Sequence, residues 1–188
     1  MGRWQPDARA RLQEAALALY GERGYEETTV AEIAERAGLT KRTFFRYFAD
    51  KREVLFWGSE LLEQQMVAAV EAAPASASAL ALIGAALDAA AVRFEEVREF
   101  AGPRHRIIAS SRELQERELI KAASLAAGMA RALRVRGFGD TAAALAALTG
   151  TTVMHVAFEQ WVDDPSRAPF QQIARNALAQ LREMASTG

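Results

Sequence analysis

Residues 29–51, TVAEIAERAGLTKRTFFRYFADK, constrain the fold more than any other stretch, because helix starts and a helix stop follow one another within one short span. Val30, Ile33, Ala34 and Ala37 recur at the i, i+3, i+4, i+7 spacing of an amphipathic helix, with Glu32, Glu35 and Arg36 facing out. Thr29 followed by Glu32 matches a capping box, with Thr28 as the other candidate cap. Gly38 supplies the positive φ that a sharp turn out of a helix needs, and Thr40 is the expected N-cap of a second helix. Asp50 with Glu53 reads as a second capping box, opening a helix whose first residue is Lys51.

Two short helices around a glycine turn make a helix-turn-helix, a module that places the leading turn of its second helix in the DNA major groove. Phe44 and Phe48, four apart, point back to the core. Lys41, Arg42 and Thr43 ride the first turn, and Lys41, Arg42, Phe45, Arg46 and Tyr47 share the outer face, a mixture suited to phosphates and base edges. From Arg36 to Arg52 there are six basic residues (Arg36, Lys41, Arg42, Arg46, Lys51 and Arg52) against one acid, Asp50, in a chain of net charge −1. Such placed charge fits a regulator with one basic end and argues against a nonspecific nucleic-acid coat protein. A lysine at a helix start opposes the macrodipole unless an anion is shared there, so a DNA phosphate is a natural partner for Lys51. The competing reading, a basic face that is merely solvated, is disfavoured because several local signals agree.

This stretch resembles the N-terminal domain of the TetR (tetracycline-repressor, AcrR-like) family of bacterial regulators over about residues 8 to 57. The resemblance implies that Thr40, Lys41, Arg42 and Thr43 read bases or anchor phosphates, that Phe45 and Tyr47 fall where the family places phosphate-contacting aromatics, and that Lys51 falls where it places a phosphate-binding lysine. Thr29 and Arg46 complete the expected DNA-binding set. Phe45 stands where many members have Tyr, and without the hydroxyl it can pack but cannot hydrogen-bond a phosphate.

Elsewhere the pattern is helical throughout. A first helix is expected from about Asp7 to Arg23, with Leu12, Ala16, Leu19 and Tyr20 inward and Arg3, Arg9 and Arg11 either near the DNA backbone or simply solvated. A long helix over 51–72 links this head to the rest. Further helices are expected over 78–100, stopped by Gly102-Pro103, then a short one over 103–109. Another runs to Arg136 from a Ser110–Glu113 capping box, with Leu114, Ile120, Leu125, Met129 and Leu133 inward. Two more follow, over about 140–162 and from Pro169 onward. The expectation is an all-α chain of about nine helices: a three-helix DNA-binding domain over 1–52 and a helical bundle over 53–188 for ligand binding and dimerisation. Without cysteine there is no disulfide and no thiolate metal site, and no run approaches the roughly 20 apolar residues of a membrane span, so a cytoplasmic protein is expected.

Between Thr141 and Thr152 the chain is rich in alanine and small residues, which lets helices pack closely; the resemblance implies that the last two long helices pair with a second copy as a homodimer. That would set two reading helices about 34 to 36 Å apart on a pseudo-palindromic operator. Phe94, Leu125, Met129, Met154, Phe158 and Trp161 either line an apolar effector cavity or are core. GPRHRIIASSRELQ and VAFEQWVDD are similar to a mycofactocin-regulator-like TetR subgroup with acyl-CoA-like effectors, which would make Arg104, His105 and Arg106 a cationic lip for phosphates; otherwise they are surface charges on a connector. His155 and Glu159 make a poor metal pair, and no P-loop, dinucleotide turn or hydrolase elbow occurs, so neither metal, cofactor nor enzymatic activity is expected. The reading is a ligand-responsive regulator, most simply a repressor; the rival is a helical enzyme or lipid carrier with a vestigial helix-turn-helix.

Overall fold

In the computed structural model of the protein, which describes residues 8–186, caps decide where the first helices begin. The Thr29 hydroxyl accepts from Glu32 N while Glu32 accepts from Thr29 N, the reciprocal capping box that the sequence spells. Thr40 accepts from Thr43 N at 3.1 Å and starts the next helix. The elements are α1 (Ala8–Arg23), α2 (Val30–Arg36), α3 (Lys41–Tyr47), α4 (Glu53–Phe56), α5 (Ser59–Ala72), α6 (Ala79–Glu96), α7 (Arg98–Ala109), α8 (Arg112–Val135), α9 (Asp140–Asp163) and α10 (Phe170–Ser186). No strand occurs among the described residues, so the chain is all-α as expected. Arg3, Pro6 and the expected start at Asp7 lie outside the described residues.

The helix expected over 51–72 is broken. Trp57 is extended (φ −60°, ψ 135°) and Gly58 is left-handed (φ 90°), a conformation L side chains rarely adopt, so α4 ends after one turn and α5 starts afresh. With α4 and α5 counted apart, there are ten helices among the described residues, against the nine expected. Only half of the second capping box forms: Asp50 Oδ1 accepts from Arg52 N and Glu53 N at 2.8 and 3.1 Å. Gly102-Pro103 does not stop a helix, either. The break falls at Val97 (φ −111°, ψ 13°), and Pro103 sits inside α7, where it forfeits the one hydrogen bond its nitrogen cannot donate. Ser110 does not cap α8, because its hydroxyl donates to Ile107 O at 2.8 Å and the helix starts at Arg112. Ile120, expected inward, is 57 % exposed.

Two compact units form. One ends at Trp57 and takes in Pro103–Glu118; the other comprises Gly58–Gly102 and the chain from Leu119 onward. Compactness therefore divides the chain at 57/58, against a functional boundary read at 52/53. The first unit's core joins Leu12, Ala16, Leu19 and Tyr20 of α1, Ile33 of α2, Phe44 and Phe48, and Val54, Leu55 and Phe56 of α4 to Ile107, Ile108 and Leu114. Three short helices bury little by themselves, and each large apolar side chain added to such a core contributes roughly 1.5–3 kcal/mol. The second unit packs α5, α6, α9, α10 and the later part of α8 around Met66, Leu82, Ile83, Leu87, Met129, Leu133 and Phe170. α9 is long and apolar enough to cross a membrane by length and composition; here Ala143, Ala146, Ala147, Val153, Ala157 and Trp161 on one side of it are buried in that core.

Candidate nucleic-acid interface

The α2–α3 turn is built to hold one helix start in place. Gly38 takes φ 65°, its N–H bonds Glu35 O at 2.9 Å, and Leu39 N bonds Ala34 O at 2.8 Å. The Arg11 guanidinium donates to the carbonyls of Ala37 and Gly38, tying α1 across the turn. Arg11, expected either near the DNA backbone or simply solvated, is instead committed to the fold. Phe44 is fully buried and Phe48 is 3 % exposed, so α3 is keyed into the core on one side and open on the other.

On that open side Thr40, Lys41, Arg42 and Arg46 are exposed, Thr43 and Tyr47 are half-buried, and Phe45 is 56 % exposed with its ring edge-on to Phe44. Every one of these residues belongs to α3 or its cap. Arg46 Nη2 donates to the Tyr47 hydroxyl at 3.1 Å, and the guanidiniums of Arg46 and Arg9 stand 4.9 and 5.5 Å from the Tyr47 ring centroid. A hydroxyl that accepts from Arg46 keeps its own proton to donate, for example to a phosphate oxygen. Arg9 also stacks on Trp57 at 4.9 Å.

The six cations of this region divide cleanly. Arg36 is paired with Glu22 through two 2.6 Å contacts, which raise the arginine and hold the Glu22 carboxyl below its usual range. Arg52 is bound by Asp50 at 2.6 Å and Glu113 at 3.0 Å. Burial alone would raise the Asp50 carboxyl, but the Arg52 guanidinium and the N–H groups of Glu53 and Arg52 outweigh it and hold Asp50 low. Lys51 donates to the carbonyls of Tyr25, Glu26 and Thr28 at 2.8, 3.1 and 3.0 Å and lies 4.2 Å from the Tyr25 ring centroid. Its ammonium has three donors, and all three are used within the protein. Tyr20, whose buried hydroxyl is pushed far above its ordinary range, donates to Lys51 O at 2.7 Å. Lys41, Arg42 and Arg46 remain, with no carboxylate in ion-pair distance among the described residues. Thr29, expected with the DNA set, spends its hydroxyl on Glu32, accepting from its N–H and donating to Oε2 at 2.8 Å.

The residues expected to bind an effector divide between the two compact units. Leu125, Met129 and Trp161 are core of the second unit, with Phe94, Met154 and Phe158 packed against them; Phe94, Phe158, Trp161 and Phe170 form one aromatic cluster with centroids 4.7–6.0 Å apart. Arg104, His105 and Arg106 belong to the first unit. Arg106 is exposed, but Arg104 is not an open lip: Nε donates to Leu55 O at 2.7 Å, Nη2 to Glu118 at 3.2 Å, and the guanidinium stands over Phe56. Burial pulls the Arg104 guanidinium below its ordinary range, with Glu118 partly offsetting it. No local signal announces these bonds, since Leu55 is far away in the chain.

Comparison with known proteins bears on this head and on the whole chain. Residues 12–56 match the family model of bacterial regulatory proteins of the tetR family. The HTH-type transcriptional regulator TcmR of Streptomyces glaucescens is 40 % identical over 81 residues, 43 % of this chain and 36 % of TcmR, so the chain matches only about a third of that relative's length. A mycofactocin biosynthesis transcriptional regulator, MftR of Mycobacterium tuberculosis, is 26 % identical over 88 % of this chain and 85 % of its own. The fold is also that of Thermus thermophilus FadR, a TetR-family repressor solved with lauroyl-CoA: TM-score 0.59, 22 % identity, 93 % of each chain. Residues 12–56, with the keyed α3 and its three outward cations, thus match a tetR-type DNA-binding head, and the chain as a whole is similar in sequence to MftR and in fold to FadR.

Proposed function

We propose that this protein is a cytoplasmic homodimeric repressor that leaves its operator when a small hydrophobic or acyl-CoA-like molecule binds in the 53–188 domain, the 1–52 domain being the DNA reader. The observation that carries the DNA half of the reading is the set Lys41, Arg42 and Arg46, cations left without carboxylates on the exposed face of a helix whose other face is locked into the core. Thr40, Lys41, Arg42 and Thr43 read bases or anchor phosphates from the first turn, and Tyr47 and Arg46 hold the backbone. Phe45 packs against the groove wall without a hydrogen bond. Thr29 and Lys51 act one step back, fixing the ends of the elements that aim α3.

The dimer reading is supported by α9, which leaves Leu145, Leu148 and Val156 39–61 % exposed on the side away from its own core, and by Met184 of α10 at 77 %. A second copy of the same two helices covers such a face symmetrically. The effector reading takes its support from the FadR complex with lauroyl-CoA and from the aromatic cluster around Trp161. Binding favours a dimer shape that no longer matches the operator spacing, with the 51–72 segment carrying the change; the ligand shifts that equilibrium only by its differential affinity for the two shapes.

A mobility-shift series with the chain's own upstream DNA tests the reading. The expected result is sequence-selective, salt-sensitive binding, with Arg42→Ala relaxing preference at one base position in each half-site by about 1–3 kcal/mol. No binding at low salt would return the carrier or enzyme reading, and unchanged specificity in the variant would reject base readout by Arg42.

A further inference from the structure

Trp161 carries one polar atom into a cluster of phenyl rings. It lies on the inner side of α9 and is 3 % exposed, with the ring centroids of Phe94, Phe158 and Phe170 at 6.0, 5.7 and 5.9 Å. The Arg98 guanidinium stands 4.7 Å from its ring centroid, a contact with the π face that gives the edge N–H no acceptor. Arg98 is itself held by Glu95 at 3.1 Å and by the Ala168 carbonyl at 2.5 Å. Among the described residues the indole Nε1 has no hydrogen-bond partner.

A buried indole N–H ordinarily finds an acceptor, and one left unmet in a native core calls for an explanation. The perpendicular ring of Phe170 offers at most an N–H···π contact, a second-order substitute. Phe158 of the cluster and Met154, one turn before it on α9, are half-buried and packed on the same core, and a methionine re-packs easily around an incoming group.

We propose that the Trp161 N–H is the recognition donor of the effector site, and that the effector is a planar aromatic molecule carrying an oxygen acceptor, not a saturated acyl chain alone. This rests on the reading of the second domain as a ligand sensor and names the chemistry that sensor selects. Three phenyl rings tilted around one indole supply faces and edges for a flat guest. An alkyl chain fills the same apolar space but leaves the N–H unmet, and a site with a buried donor discriminates strongly against the analogue that lacks the acceptor.

The test uses the full-length protein and three probes: 2-acetylnaphthalene, its near-isostere 2-isopropylnaphthalene, and lauroyl-CoA. The ketone is expected to bind roughly tenfold more tightly than the hydrocarbon, and Trp161→Phe, which keeps a ring but removes the donor, to abolish that preference. In nitrogen-15 spectra the indole resonance absent from W161F should move downfield with the ketone and stay put with the hydrocarbon. Should the variant not fold, the wild-type preference for the ketone decides by itself. Equal binding of the two naphthalenes, or an indole signal blind to the ketone, overturns the proposal. Binding of lauroyl-CoA alone overturns it while leaving a ligand sensor in place, and binding of none of the three removes both.

Discussion

The two compact units leave their unmet polar groups in opposite places. In the first, everything inside is tied down: Arg11 to the α2–α3 turn, Lys51 to the carbonyls before α2, Tyr20 to Lys51, and Arg104 to Leu55. Its α3 cations Lys41, Arg42 and Arg46 face outward without a carboxylate in ion-pair distance among the described residues. In the second unit the periphery is satisfied, with Arg136 on the carbonyls at the end of α5 and Asp88 holding Gln171 and Arg175. Both buried side-chain atoms without a hydrogen bond among the described residues, Ser59 Oγ and Trp161 Nε1, belong to this unit. Unmet groups mark where a partner is expected: a large polyanion on the outer face of the one, a small molecule within the other.

The largest expected effect separates two adjacent phenylalanines. Phe44→Ala empties a fully buried site and should cost about 3–5 kcal/mol in denaturant titration, taking DNA binding with it through unfolding. Phe45→Ala, at an exposed site, should change stability by no more than about 0.5 kcal/mol. A large loss of stability in the Phe45 variant would mean that the outer face of α3 is structural, and the contrast between a locked inside and an open outside would collapse.

Next in size comes Lys51 set against Lys41. Removing the Lys51 ammonium strands three carbonyls, so Lys51→Ala should lower stability by about 2 kcal/mol. Lys41→Ala should leave stability unchanged and reduce the salt dependence of DNA binding by about one phosphate contact. If instead Lys51→Ala flattened the salt slope at unchanged stability, its ammonium would be exchanging carbonyls for a phosphate, as the family resemblance alone implies.

Those two lysines also show how far the sequence could be read. What lay within a few residues was legible: Thr29 with Glu32, Thr40 before α3, the positive φ at Gly38, and the buried Phe44 and Phe48 all follow from local spacing. What joins distant positions was not. Neither the hold of Lys51 on Tyr25–Thr28, nor that of Arg11 on the turn, nor the return of Ile107, Ile108 and Leu114 to the first core leaves a pattern in neighbouring residues. Gly58 is a different failure. The glycine stands in the sequence, but helical patterning does not say whether a glycine will stay helical or turn left-handed, and the helix expected over 51–72 ran through it. In the effector region, helical spacing of Phe94, Phe158 and Trp161 cannot separate core from pocket, because both kinds of residue recur at the same interval.

The smallest effect concerns the acid side of the first unit. Asp50 is held below its usual range by Arg52 and by the two N–H groups it caps, so its folded value lies beneath its unfolded one. A carboxylate of that kind stabilises fully above its unfolded value, near pH 4, and the contribution is lost as pH falls through the lower folded value. Asp50→Asn keeps an acceptor for the capping bonds and removes only the charge. The variant should therefore be less stable than the parent at pH 7, modestly because both Asp50 and Arg52 are partly solvated, and the gap should close toward pH 2. A gap of constant size across that range would show that the cap geometry, and not the charge, holds the start of α4. The start of α4 would then rest on the shape of the cap rather than on the Asp50–Arg52 ion pair.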